Sequence, residues 1–122
     1  MANTLPTGQP LNAVCGSPGL SCRHVAVAGR EVRIVDVAAM RIQTPPKHSA
    51  SSFVDVVWTE IIAAATTSGR ICVYSAFLAE IRTIQAHKRC CNRIAAADHL
   101  LLSASQDGAI CNNTGNWNNL TP

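Results

Sequence analysis

His87, Ser103 and Asp107 are the residues of this chain whose types could do chemistry together. A hydroxyl, an imidazole and a carboxylate are the parts of a nucleophilic triad: the ring takes the hydroxyl proton and the carboxylate orients the ring. The surrounding sequence points elsewhere. Hydrolases of the elbow type hold their serine in Gly-x-Ser-x-Gly on a strained turn, whereas Ser103 follows Leu100-Leu101-Leu102 and precedes Ala104-Ser105-Gln106-Asp107-Gly108. That is an apolar strand running into an Asp-Gly turn, where glycine supplies the positive φ. A serine buried on such a strand and fixed by its neighbours is a poor nucleophile. The three residues read as a structural network, with no catalytic residue assigned; a small serine hydrolase is the remote alternative.

Other chemistries find less support. Six cysteines, at Cys15, Cys22, Cys72, Cys90, Cys91 and Cys111, contain no Cys-x-x-Cys, and the vicinal pair is poorly placed to chelate one ion, so no metal site is assigned. No carboxylate pair and no phosphate-cradling glycine loop occurs, so no cofactor and no small-molecule substrate are expected. The net charge of +3 is mild and His87-Lys88-Arg89 is the densest basic cluster, which gives no case for nucleic acid. Nothing near Met1 resembles a signal peptide, and the longest apolar run, Ile61 to Ala65, is far too short to span a bilayer. The expectation is a cytoplasmic chain with reduced thiols serving as small apolar side chains.

The elements that must position these residues are strands. Apolar residues make up 48% of the 122-residue chain, enough for a core, and one domain is the default at this length. Residues 1–22, rich in proline and glycine, read as an irregular leading segment with one short strand at Leu11–Val14. His24–Ala28 and Val32–Val37 flank a Gly29 turn as a hairpin. A weak strand at Met40–Ile42 precedes a loop through Pro45-Pro46. Phe53–Trp58, Ile61–Thr67, Ile71–Tyr74 and Glu80–Ile84 follow as strands. Trp58 is expected to pack between neighbouring sheets, and Asp55 to make a surface contact or cap a turn.

The strongest signal is a repeat of 39 residues. Val32, Ile71 and Ile110 follow one another at that interval, as do Gly69 and Gly108, Ile61 and Leu100, and His48 and His87. Short strands with a glycine turn at this period match a β-propeller, which builds radial four-stranded blades. The predicted fold is all-β, a partial WD-repeat propeller of two to three blades forming an open arc over residues 23–110. From Cys111 the asparagine-rich residues 111–122 read as an unrelated tail, as if the chain were cut short inside its third unit. An open arc leaves sheet edges and blade faces uncovered, so the chain alone should be marginally stable or dependent on a partner.

The order of parts resembles a WD-type blade. That resemblance implies a network running from a histidine before the first strand, through a strand serine and a turn aspartate, to a tryptophan on the third strand. His87, Ser103 and Asp107 match three of these positions, Asn113 stands at the fourth, and in the preceding unit Tyr74 takes the tryptophan position. More specifically, Val25-Ala26-Val27-Ala28-Gly29-Arg30, Val54-Asp55-Val56-Val57-Trp58, Ile61 to Gly69, and His87-Lys88-Arg89 through Ser105-Gln106-Asp107-Gly108 occur in one order. The series, over residues 11 to 110, resembles the N-terminal propeller of the WD repeat-containing protein 24 family. The resemblance implies a non-catalytic scaffold in a GATOR/SEA-type assembly that relays amino-acid sufficiency to TOR complex 1. It implies other protein subunits as partners and a peripheral place at the lysosomal or vacuolar membrane through that complex. A WD-repeat interaction protein of another pathway is the alternative.

Overall fold

A computed structural model describes residues 4–19, 23–45, 52–97 and 100–112. Among them every regular element is a strand. The first sheet is formed by β1 (Ala13–Gly16), β2 (His24–Ala28), β3 (Val32–Asp36) and β4 (Arg41–Gln43). The second contains β5 (Phe53–Trp58), β6 (Ile62–Thr66), β7 (Arg70–Tyr74) and β8 (Glu80–Gln85), and the third β9 (Cys91–Ala97), β10 (Leu100–Ser105) and β11 (Ile110–Asn112). Each sheet is an antiparallel meander in chain order. The three are separate, and the arc they form is open, as an incomplete propeller requires.

The hairpins follow from their turn residues. Gly69 (φ +82) and Gly108 (φ +81) take the left-handed conformation that a side chain disfavours, and each reverses the chain between the second and third strands of its sheet. Gly69 is also crowded: a Cβ there would lie 2.3 Å from the carbonyl oxygen of His87. The segment connecting the second blade to the third passes directly over this turn, and the Gly69 carbonyl accepts the N–H groups of Ala86 and His87. The turn therefore closes one hairpin and seats the next blade.

Two apolar layers lie between the sheets. One joins Ala26, Ala28, Val32 and Ile34 of the first sheet to Phe53, Val56, Ile62, Ala64, Cys72 and Tyr74 of the second, with Leu78 and the half-buried Trp58 against it. The other joins Ile61, Ala63, Ala65, Ile71, Val73 and Ile84 to Cys91, Ile94 and Leu101. The second sheet is thus apolar on both faces. This explains why Ile61 to Ala65 shows no alternation: successive side chains point to opposite faces, and both are buried.

Several strand ends differ from the sequence reading by one residue, as at Asp36, Ile62, Thr66, Arg70 and Gln85, and three differences bear on the argument. The first strand is Ala13–Gly16 rather than Leu11–Val14, because its register with β2 puts Ala13 opposite Ala28 and Gly16 opposite Val25. The weak strand at Met40–Ile42 lies at Arg41–Gln43; Met40 has φ 55, which is turn rather than strand geometry. Cys111 and Asn112, read as the start of an unrelated tail, are part of β11, where Asn112 pairs with Leu102 and Cys111 with Ser103. Position 113, with the rest of the proposed tail, and His48 lie outside the described residues.

Candidate functional site

The segment before β9 places His87, β10 places Ser103, and the turn after β10 places Asp107. The fold brings the three together. His87 Nε2 and Ser103 Oγ are 2.8 Å apart, and His87 Nδ1 lies 3.1 Å from Asp107 Oδ2. Ser103 alternates inward along β10 with Leu101, and both are buried. The Asp107 carboxylate is held in place by its own turn, where Oδ1 accepts the Ala109 N–H at 2.8 Å and its backbone N–H donates to Ser105 Oγ.

These contacts determine the protons. The Ala109 N–H bond first, with the hydrogen bond from His87, holds the Asp107 carboxyl below the usual carboxylate range. An ionised Asp107 accepts, so Nδ1 of His87 carries the hydrogen. In the neutral ring Nε2 is then an acceptor, and the Ser103 hydroxyl donates to it. This is the hydrogen-bond order of a nucleophilic triad, but its placement differs from that of an active site. The side chain of Ser103 is sealed between sheets, with 1% of the residue exposed, and His87 is 4% exposed. Only Asp107 reaches solvent, at a shallow depression lined by Gln85, Ala86, His87, Lys88 and Ala109. A substrate carbonyl cannot approach Ser103 Oγ without parting the blades.

Tyr74 is not joined to this group. It sits on β7, buried in the other apolar layer, and burial pushes its phenol well above the ordinary range. In its own blade, Ala64 and Ser68 stand where the third blade has Ser103 and Asp107. There Thr66 closes the hairpin instead: its hydroxyl donates to the Arg70 carbonyl and accepts the Arg70 N–H, both at 3.0 Å. Trp58 is half-buried against the layer between the first and second sheets.

Asp55 has a part that the sequence reading missed. One carboxylate oxygen accepts the N–H of Val56, and the other accepts the N–H of Ile94 on β9 at 2.9 Å. Asn12 makes a comparable link one blade earlier, donating from Nδ2 to the Phe53 carbonyl at 2.7 Å. Within the first blade, the Gln9 side-chain oxygen accepts the N–H groups of Arg30 and Glu31 at the hairpin turn. The available clue to Asp55 was the 39-residue separation between it and Ile94, equal to the repeat.

Among the described residues no cluster of three or more His, Cys, Asp or Glu is placed to hold a metal ion, and no helix is long and apolar enough to cross a membrane. Burial raises the thiols of Cys72 and Cys91, the latter to about 11, which suits them to packing rather than reactivity.

No protein-family model matches the sequence, and no curated protein is significantly similar to it. Solved structures do match in fold. The computationally designed Ika4 protein superposes with TM-score 0.75 at 14% identity, over 90% of this chain and 71% of that one. The Dos1 propeller matches with TM-score 0.71 at 16% identity, over 86% of this chain and 30% of that one. A chain of the mitotic checkpoint complex matches with TM-score 0.65 at 18% identity, over 89% and 40%. The chain spans well under half the length of the latter two. At these identities the likeness is one of fold: a partial β-propeller.

Proposed function

We propose that the chain is a non-catalytic protein-interaction scaffold, part of a GATOR/SEA-type subunit of the WD repeat-containing protein 24 kind that acts in amino-acid signalling to TOR complex 1. The observation that carries the scaffold reading is the burial of Ser103 and His87. The most reactive constellation in the chain is spent on tying β10 to the segment before β9, which leaves the blade rims and faces as the surfaces available for function. A propeller offers such surfaces to other proteins, and one structural neighbour is part of a multiprotein complex. The choice of pathway rests on the motif series from Val25 to Gly108.

In this reading the partners are other protein subunits, and the chain reaches the lysosomal or vacuolar membrane through them. The test is affinity purification of the tagged chain from cells, with the co-purifying subunits identified. Recovery of GATOR/SEA subunits in proportion is expected. Recovery only of unrelated partners refutes the pathway and favours a WD-repeat protein of another system, since one fold serves many functions. Labelling of Ser103 by a fluorophosphonate probe would overturn the non-catalytic reading itself.

A further inference from the structure

The chain carries three Ser/Thr-Pro dipeptides, at Ser17-Pro18, Thr44-Pro45 and Thr121-Pro122. This dipeptide is the minimal acceptor of proline-directed protein kinases, which take a substrate in extended conformation and seat the proline ring in an apolar pocket. Proline has no backbone N–H, so it enters such a pocket where another residue would leave a buried donor unpaired. Thr121-Pro122 lies outside the described residues. The fold separates the other two. Ser17 is half-buried, and its N–H donates to the His24 carbonyl at 2.9 Å, which holds its backbone in the first hairpin. Thr44 is exposed, directly beyond β4, and so are Arg41 and Gln43 before it.

The next blade shows why Thr44 is presented. Gln43 stands opposite Ile34 as Arg82, 39 residues on, stands opposite Val73. Thr44 and Pro45 therefore correspond to Thr83 and Ile84. In the second blade the strand runs on through these positions. Thr83 pairs with Cys72 and donates its hydroxyl to Glu80 Oε1 at 2.9 Å, while Ile84 pairs with Ile71 and is buried. Proline at position 45 has no N–H to give the ladder, and β4 stops at Gln43. The proline ring also restricts the residue before it to extended backbone. One residue type, at matching places in two blades, is thus built into the sheet in one and released from it in the other.

We propose that Thr44 is a phosphorylation site for a proline-directed Ser/Thr kinase. Thr44 Oγ1 attacks the γ-phosphorus of magnesium-bound ATP. The new O–P bond forms as the bond from that phosphorus to the β–γ bridging oxygen breaks, ADP leaves, and the hydroxyl proton passes to the catalytic aspartate of the kinase. Because Thr44 lies beyond the last paired residue of β4, the blade need not open to present it. The phosphate adds about two negative charges at neutral pH, on the outer edge of the first sheet near the exposed Arg41, and takes the net charge from +3 to about +1.

Incubation of the purified, folded chain with a cyclin-dependent kinase and MgATP, followed by peptide mass spectrometry, tests this. Phosphate is expected on Thr44, with Ser17 unmodified. T44A abolishes incorporation at this peptide, and P45A slows it by about tenfold or more, because the apolar pocket loses its ring. Both positions lie outside the strands, so circular dichroism should show the strand content of each variant retained. The tagged chain recovered from dividing cells should carry the same phosphate. A folded chain that takes no phosphate on Thr44, in the tube or in cells, overturns the proposal. So does a P45A rate equal to that of the wild type, or modification of Ser17 as fast as that of Thr44.

Discussion

The carboxylate of Asp55 on β5 accepts the backbone N–H of Ile94 on β9 at 2.9 Å, joining the innermost strands of two successive blades. Most of the contact between the sheets is apolar, which is non-directional and sets no register between blades. A hydrogen bond to one particular N–H does set it.

Replacing Asp55 by alanine removes that acceptor and leaves the Ile94 N–H unpaired in a largely apolar layer, at a cost of about 1–3 kcal/mol. Asparagine keeps one acceptor oxygen and should recover much of the loss. Urea unfolding of D55A and D55N checks both, with D55A expected to have the lower midpoint.

Ser103→Ala leaves Nε2 of the buried His87 without this hydroxyl, again at about 1–3 kcal/mol. His87→Ala removes the centre of the network and should cost at least as much. The double variant should cost less than the sum of the singles, because the two share one interaction. A triple comparison by denaturant unfolding measures the coupling; strict additivity would show that the Ser103–His87 contact contributes nothing.

Gly69 and Gly108 have nearly the same φ but different surroundings. At Gly108 nothing lies within 4 Å of an added Cβ, so Gly108→Ala should carry only the left-handed conformational cost, about 1–2 kcal/mol. At Gly69 the Cβ would strike the carbonyls of His87 and Arg89, at 2.3 and 2.6 Å. Gly69→Ala should therefore be the more damaging of the two and should loosen the third blade from the second, read as faster hydrogen exchange at Ala86 and His87.

Acid should weaken the fold through two turns. Asp36 is held below the usual carboxylate range first by the Ala39 N–H, with Arg23 adding to it, and Asp107 first by the Ala109 N–H. In each case the unfolded chain binds the proton more readily than the folded one, so stability rises with pH across this interval. The contribution is complete above the unfolded value of about 4 and is lost as pH falls through the lower folded value. Urea midpoints measured downward from neutral pH should fall in that window, and D36N and D107N should each flatten the decline.

Thiol labelling should sort the cysteines by position. Cys72 and Cys91 are buried with raised pKa values, so alkylation at mildly alkaline pH should be slow until unfolding. Cys15, Cys90 and Cys111 are half-buried and should react first. Mass spectrometry of partly labelled protein, resolved by peptide, checks the order.

Much of the architecture is legible in the chain because strand periodicity and turn chemistry are local. Val32, Ile71 and Ile110 at a constant interval, each following a glycine-containing turn, are enough to expect a propeller. The network at His87, Ser103 and Asp107 was visible for the same reason: its members lie in one repeat unit at characteristic offsets. Asp55 was opaque, since an aspartate inside an apolar strand looks alike whether it faces solvent or an N–H of the next blade. The limits of β1 and β11 were also hidden, because a short strand is decided by the partner it pairs with. Asn112 has poor strand propensity and is nevertheless held opposite Leu102.

By itself, then, the sequence determined strands, turns, their period and the composition of the third blade's polar network. Only the tertiary structure decided which faces meet. Val14 and Val56 are the same residue type at matching places in their strands, yet one is exposed and the other buried. The difference lies in whether another sheet is stacked against them, and burial, unlike strand propensity, belongs to the neighbour as much as to the residue.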